Sequence, residues 1–252
     1  MTRANDSFRK KRAEKITSLV GPLSKEFSSI DLTPLTNAAK KCYNPPKKMG
    51  DNYWKEEVLK LNLGTLNNLS NVRPKEANLN SIDLEFNFIG FGKCEDDSQK
   101  IDPFIHAELT INIKGKDMED NNLISSWHFD RHISESGDNE PLSPHPQYHF
   151  QHGGRSIQNL DDNDKYDFGS SLFLESPRLF HPPLNLILSL NFLIAQFYSQ
   201  KWKRLKVDKD YRRIVNEEQK RYWRPYFSKL SSYLEDPKFN KEAEKLMPIL
   251  IR

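Results

Sequence analysis

The stretch IDLEFNF at residues 82–88 alternates large apolar residues with polar ones at every second position. Successive side chains of a β-strand point to opposite faces, so this period predicts a strand with one buried face and one face in water. The stretch HAELTINI at residues 106–113 repeats the alternation. Two neighbouring strands of this kind indicate an antiparallel sheet with a single apolar face.

Two later segments extend the same pattern along the chain. Residues 126–132 and residues 145–152 alternate in the same way, with aromatic side chains at the apolar positions. Short polar segments that are typical of turns separate the strands. We therefore predict an antiparallel four-stranded meander over about residues 81–152.

The flanking regions have helical rather than strand-like sequences. In the N-terminal region, residues 1–62, the predicted helices run from Phe8 to about Val20, from Thr33 to Lys41 and from Asp51 to Leu61. The first of them is expected to stop at Gly21-Pro22. Residues 62–80 are rich in Asn without a clear period, which predicts a long connection.

After the sheet, the sequence again favours helices. They are predicted over about residues 184–205, residues 210–233 with an interruption at Pro225, and residues 240–246. The fold class is therefore α+β, with helical N- and C-terminal parts and helices that cover one face of the sheet. Residues 81–252 form the α+β core, and together with the N-terminal helices they are expected to make one compact unit.

The formal net charge of +3 conceals an uneven distribution. Residues 1–48 carry eleven Lys and Arg against four Asp and Glu, and residues 201–224 carry ten against four. Residues 80–180 carry nineteen Asp and Glu against eight Lys and Arg, and all seven histidines fall between His106 and His181. Such a distribution is typical of basic helices that bind a polyanion beside an acidic centre that binds a cation, although solvated helix faces produce it as well.

Cysteine usage and hydropathy favour a cytoplasmic protein. Cys42 and Cys94 form neither a disulfide framework nor a CxxC pair, and no apolar run follows the first basic residues. The most apolar segment, residues 184–198, is interrupted by polar residues and is shorter than the roughly 20 residues that a membrane span needs. We therefore expect no membrane partner.

The histidines supply the best candidate site. The segment WHFDRH at residues 127–132 places His128, Asp130 and His132 at strand period, so these side chains would share one face of the sheet. Imidazole and carboxylate groups bind Zn, Mn or Ni, and catalytic metal sites leave one position open for water. The sequence therefore offers His128, Asp130 and His132 as ligands of a divalent metal ion.

The polar faces of the neighbouring predicted strands add Glu108 and His149 to the catalytic candidates. The pattern His-x-Asp-x-His is not a named metal motif, however, and strand alternation produces it by chance. A polar sheet face whose histidines meet solvent is the alternative interpretation.

The basic C-terminal segment interleaves cations with aromatic residues. Lys and Arg neutralise phosphates while aromatic rings stack on unpaired bases, so this segment is predicted to contact nucleic acid. The candidate nucleic-acid-binding residues are Lys201, Lys203, Arg204, Arg212, Arg213 and Arg221. A helix with its aromatic residues in the core and its cations in solvent gives the same pattern.

A weaker anion site follows the last predicted strand. Gly153-Gly154 can present backbone N–H groups to a phosphate, and Arg155 adds a guanidinium group as a phosphate-binding candidate. The chain has no P-loop, no dinucleotide-binding fingerprint and no nucleophile elbow. Enzyme classes that depend on those motifs are therefore not indicated.

The run HPQYHFQHGG at residues 145–154 and the run SPRLFHPPLNLILSLNFLIAQF at residues 176–197 together carry a resemblance. They are similar to a pattern in uncharacterised bacterial proteins that are encoded among mobile-element and anti-phage defence genes. The resemblance covers residues 144–197 and brings no assigned activity or catalytic residue. It implies a bacterial cytosolic protein that acts with a protein partner.

These observations leave two functional expectations. The first is a cytosolic bacterial subunit that binds nucleic acid and a protein partner, in the setting of anti-phage defence. The second is a divalent-metal-dependent phosphodiester hydrolase, a nuclease, with a His/Asp site on the polar sheet face and Zn, Mn or Ni as its cofactor.

Overall fold

The computed structural model describes residues 3–46, 49–66, 75–94, 102–131, 145–153, 178–235 and 241–249. The described part of the chain begins with helices α1 (Arg3–Glu26) and α2 (Thr33–Tyr43). The strands follow as β1 (Tyr53–Thr65), β2 (Asp83–Lys93), β3 (His106–Lys116), β4 (Asn122–Arg131), β5 (Tyr148–His152) and β6 (Leu179–Phe180). The last helices are α3 (Leu186–Phe197), α4 (Ser199–Leu205), α5 (Lys209–Glu235) and α6 (Lys241–Leu246).

The strands form one open sheet in the order β1-β2-β3-β4-β5-β6, with every neighbouring pair antiparallel. The α+β class with helices at both ends is therefore confirmed. The prediction of four strands is wrong, because the sheet has six. Strand β1 extends it at one edge and the two-residue strand β6 extends it at the other.

Strand β1 occupies the segment that we predicted as a third N-terminal helix, so that prediction is wrong. Two features of the segment hide its strand period. Glu56 lies at a core position and is only 1% exposed, so a charged residue stands where the pattern requires an apolar one. A register shift between Val58 and Leu61, with Lys60 at a φ of 54°, then moves the later apolar residues to a new phase.

The apolar face of the sheet carries a row of side chains that runs from strand to strand. Leu109, Phe129 and Phe150 are direct cross-strand partners on β3, β4 and β5, and each is at most 5% exposed. Helix α2 packs on β1, α3 packs on β1 and β2, and α1 packs on α2 and α5. The helices therefore bury the apolar face, and the opposite face of the sheet carries the polar side chains.

Helix α1 continues to Glu26 instead of ending at Gly21-Pro22. A proline inside a helix costs about 3 kcal/mol, because it removes a hydrogen bond and crowds the preceding turn. Leu23 and Phe27 lie beyond the proline and are each 1% exposed. Burial of two such side chains contributes roughly 1.5–3 kcal/mol each, which offsets the cost of the proline.

The C-terminal helices also differ from the prediction. Helix α5 runs through Pro225 without the expected interruption, since Tyr222 and Tyr226 on either side of it are both buried. The helix predicted over residues 184–205 is divided into α3 and α4 at Tyr198. The hydroxyl of Tyr198 donates a hydrogen bond of 2.7 Å to the carbonyl oxygen of Gly64, which anchors the break against β1.

A network of buried charges joins the helices to β1. The guanidinium of Arg12 donates to Glu56 Oε1 at 2.8 Å, and the backbone N–H of Leu186 donates to Glu56 Oε2 at 3.1 Å. The side-chain amide of Asn185 donates to Glu218 at 2.6 Å. One carboxylate from β1 thus holds both helix α1 and the N-terminus of helix α3.

Candidate metal centre

The register of β3, β4 and β5 brings polar side chains into adjacent rows on the polar face. Asp130 on β4 lies between Glu108 on β3 and His149 on β5, and each of these pairs is directly opposite. His128 pairs with Gln151 in the next row of the same face. Directly opposite side chains on a sheet have Cβ atoms about 4.5–5.5 Å apart, so the register alone brings these groups together.

His128, Asp130 and His149 form the cluster that a metal ion would need. One ligand atom of each residue lies within 4.8 Å of the other two. His128 Nε2 is 3.3 Å from Asp130 Oδ2, and the rings of His128 and His149 are 6.5 Å apart between centroids. Ligand atoms around a tetrahedral zinc ion, bound at about 2.0–2.2 Å, lie about 3.3 Å from one another. Small side-chain movements would therefore bring the three ligand atoms onto one ion.

The surroundings of His149 favour the charge state and the tautomer that bind a metal ion. It is 2% exposed, and its Nδ1 lies 3.1 Å from the carbonyl oxygen of Pro146. Burial, followed by the charge of His145, lowers the pKa of His149 to about 3, so the imidazole is neutral at physiological pH. Because a carbonyl oxygen only accepts, the ring proton sits on Nδ1 and Nε2 keeps its lone pair. Metal-bound histidines commonly donate their other ring N–H in this way.

The second imidazole, that of His128, has an unsatisfied nitrogen. Its Nδ1 is buried and has no hydrogen-bond partner among the described residues. Buried polar atoms usually have a partner, so Nδ1 is the unsatisfied nitrogen of His128, while Nε2 faces Asp130. The side chain of His128 is 15% exposed and that of Asp130 is 38% exposed, so solvent reaches the cluster from the Asp130 side.

Further titratable groups border the cluster. Glu108 Oε2 lies 3.6 Å from His106 Nε2, and the hydrogen bond from His106 lowers the pKa of the Glu108 carboxyl. His145 packs edge-on against His149 with ring centroids 4.6 Å apart. The cluster thus has an ionised carboxylate on one side and a further imidazole on the other.

Arg178, which no pattern in the sequence indicates as a site residue, also lies close enough to His149 to affect it. His149 pairs with Phe180 of β6, so at strand period Arg178 falls on the same face of the sheet as His149. The positive charge of Arg178 contributes to the lowered pKa of His149, after burial and His145. The short strand β6 carried no recognisable alternation in the sequence, and the register of its pairing was needed to find Arg178.

The predicted ligand set is only partly brought together. His128 and Asp130 lie side by side on the polar face, while Phe129 between them is fully buried on the other. The third member of the cluster is His149, which we had named as a catalytic candidate. His132 and the phosphate-binding candidate Arg155 lie outside the described residues. Glu108 is the direct neighbour of Asp130.

The predicted nucleic-acid-binding residues lie on the helical side of the sheet, and several of them are engaged within the protein. Lys201 Nζ lies 4.0 Å from the ring centroid of Phe27, and Arg204 forms an ion pair of 2.7 Å with Glu26. The guanidinium of Arg221 lies over the ring of Phe8.

The remaining predicted cations have different surroundings. Arg213 is paired with Asp210 and Glu217 at 3.7 and 3.2 Å. Lys203 and Arg212 are exposed. The predicted basic segment is therefore a set of separate cations on the helices, several of which already meet internal partners.

Comparisons with protein-family models, with curated proteins and with solved structures each found no match. Within the part of the chain that the structure describes, none of the helices combines the length and the apolar character that crossing a bilayer requires.

Proposed function

We propose that this protein is a divalent-metal-dependent hydrolase in which His128, Asp130 and His149 hold the ion. The observation that carries the proposal is the convergence of these three ligands, whose atoms lie within 4.8 Å of one another. Two imidazoles and a carboxylate match catalytic zinc sites, in which three protein ligands leave a fourth position for water. Mn and Ni accept similar donors, so Zn, Mn or Ni is the proposed cofactor.

The proposed reaction is a hydrolysis in which an ion held by His128, Asp130 and His149 would activate a water molecule. A divalent ion lowers the pKa of its bound water toward about 7 and so supplies hydroxide at neutral pH. Glu108, opposite Asp130 and held ionised by His106, is the proposed acceptor of the proton from that water. The solvent-exposed side of Asp130 is the proposed direction of substrate approach.

The proposed substrate is a phosphodiester. Arg178 lies on the face of His149, and a guanidinium group pairs with two phosphate oxygens in a fixed geometry. Arg178 would hold the phosphate by two of its oxygens while water adds to phosphorus and the bond to the leaving oxygen breaks. The leaving oxygen takes up a proton from solvent.

Metal titration of the purified protein tests this proposal. After treatment with a chelator, added Zn²⁺ should raise the free energy of unfolding by about 2.7 kcal/mol when its concentration is about 100 times its Kd. His149→Gln and Asp130→Asn should remove this gain and the hydrolysis of bis(p-nitrophenyl) phosphate. His152→Gln is the matched control, because His152 is an exposed histidine on the same strand that contacts Trp127 on the other face. Equal stabilisation of the wild-type protein and His149→Gln would refute the proposal.

A second proposal concerns the helical side of the sheet, which is separate from the metal centre. A cleft of about 330 Å³ between α1 and α5 is lined by Lys11, Lys15, Arg213 and Arg221 together with neighbouring residues. We propose that this surface contacts nucleic acid, and that the protein acts in the cytoplasm of a bacterium with a protein partner, in anti-phage defence. The exposed Lys11 favours the nucleic-acid contact, because phosphate contacts dominate such binding, whereas Lys15 and Arg213 already pair with carboxylates of α5.

A further inference from the structure

A second cleft, of about 550 Å³, lies where helices α3, α4 and α5 meet. Its volume is within the range of small-molecule sites, which is about 300–1,000 Å³. The lining combines an amide from α3, an aromatic ring from α4 and both an aromatic ring and cations from the start of α5.

The amide of the cleft is Asn191, and its orientation is fixed by two neighbours. Trp202 Nε1 donates to Asn191 Oδ1 at 3.1 Å, and the hydroxyl of Tyr211 donates to the same oxygen at 3.2 Å. An indole N–H is only a donor, so the atom facing it must be the amide oxygen. The amide oxygen is therefore occupied, and the two N–H donors of Asn191 Nδ2 are the part of the group left for a ligand.

Three cations of the cleft have no carboxylate partner among the residues that the structure describes. Lys206, Lys209 and Arg212 line the cleft and are exposed, and among the described residues none of them forms an ion pair with a carboxylate. Arg213, which also lines the cleft, differs in this respect because Asp210 and Glu217 flank it. An anion in the cleft would therefore meet three cations that are not already neutralised.

An aromatic ring lies close to these charges. Lys206 Nζ is 4.9 Å from the ring centroid of Trp202, so a positive charge and a stacking surface lie within the reach of one small ligand. A base stacks favourably on an aromatic ring, and hydrogen bonds from Lys or Arg to a phosphate are stronger than neutral ones. A ligand with a planar ring, a hydrogen-bond acceptor and a phosphate satisfies all three parts of the lining.

We propose that this cleft binds one unpaired nucleotide. The phosphate lies against Lys206, Lys209 and Arg212, and the base lies against Trp202 with an acceptor atom facing Asn191 Nδ2. The nucleotide is either free or part of a single strand, and in the second case the inference rests on the nucleic-acid proposal above. It does not depend on the metal centre, which lies on the other face of the sheet.

Binding of AMP by calorimetry, and of a short fluorescein-labelled single-stranded RNA by anisotropy, tests this inference. Arg212→Gln removes one exposed cation and should weaken the binding of both probes by at least about tenfold. Asn191→Asp keeps the oxygen that Trp202 and Tyr211 need but replaces the N–H donors with a negative charge, so it should abolish binding. Lys40→Gln is the matched control, because Lys40 is exposed on α2 outside both clefts, and it should change the affinity by less than about twofold.

The outcomes separate this inference from the nucleic-acid proposal. If the wild-type protein binds both probes and Asn191→Asp and Arg212→Gln bind neither, the result supports the cleft inference and the nucleic-acid proposal together. Binding of AMP alone, with the same losses, supports the cleft and overturns the nucleic-acid proposal. Binding of RNA that neither variant changes, without binding of AMP, overturns the inference and leaves the nucleic-acid proposal standing. Binding of neither probe at up to about 1 mM overturns both.

Discussion

Replacement of Glu56 by Gln tests the buried ion pair that joins helix α1 to strand β1. Glu56 is 1% exposed, and its two oxygens accept from Arg12 and from the backbone N–H of Leu186. Gln has one accepting oxygen, so Glu56→Gln leaves one of these donors facing an N–H group. Arg12 also stays buried without the charge of its partner carboxylate. Removing one member of a buried pair costs about 3–5 kcal/mol, which is the expected loss in the free energy of unfolding.

Urea denaturation followed by circular dichroism measures this loss. Glu14→Gln on helix α1 is the matched control, since the pair of Glu14 with Lys10 is 3.9 Å long and both side chains are more than half exposed. An exposed pair of this kind contributes up to about 1 kcal/mol. The two Glu→Gln changes have the same chemistry, so the difference between their costs reports burial.

A double-mutant cycle gives a second measurement of the same pair. Arg12→Met removes the guanidinium, whose carbon lies 3.6 Å from the ring centroid of Trp54, and leaves an unbranched apolar side chain at this position. The double variant removes both charges, so its cost should be lower than the sum of the single costs by about 1–3 kcal/mol. Additive costs, or a loss below about 1 kcal/mol for Glu56→Gln, would show that the pair does not support the fold in this way.

Further predictions concern the core, the pKa of His181 and the basic helices. Leu188→Ala should lower the free energy of unfolding by about 2–5 kcal/mol in the same urea assay, because Leu188 is 0% exposed in α3. A loss below about 1 kcal/mol would contradict its place in the core. Burial lowers the pKa of His181 to about 4, so the unfolded chain binds more protons than the folded one between that value and the ordinary 6.5. Acidification from pH 6.5 to about 4 should therefore lower the free energy of unfolding of the wild-type protein by up to about 3 kcal/mol more than that of His181→Leu. Equal losses in the two proteins would refute the lowered pKa of His181. Arg212→Ala should flatten the dependence of log K on log salt for nucleic acid by about 0.7–0.9 in an anisotropy titration. Arg213→Ala should have a smaller effect, because Asp210 and Glu217 already neutralise that residue, and equal effects would contradict this view.

The periodicity of the sequence was sufficient for the central strands. Strands β2, β3, β4 and β5 overlap the segments where apolar and polar residues alternate, and each turns its apolar set toward the helices. The same alternation placed His128 and Asp130 on one face, because strand parity is a local property of the backbone. No long-range information was needed for either conclusion.

Local signals failed where a long-range contact outweighed them. Strand β1 has a buried Glu56 in its core-facing row, and this is stable only because Arg12, 44 positions earlier in the chain, supplies the opposite charge. Pro22 predicts the end of a helix, yet α1 continues beyond it because Leu23 and Phe27 are buried against other elements. In both cases the deciding partner is distant in the sequence, so no local window contains it.

The candidate sites also depend in part on local sequence and in part on long-range contacts. The sequence by itself determined the α+β class, the parity of the central strands, and the residue types available for metal and phosphate binding. Only the tertiary structure decided that His149 is the third member of the cluster, because its place opposite Asp130 depends on the register between β4 and β5. The cleft around Asn191 and Trp202 likewise exists only where three helices meet. Alternation within a strand fixes which face a side chain takes, whereas pairing between strands and packing between helices fix its neighbours, and these are set by contacts across the whole chain.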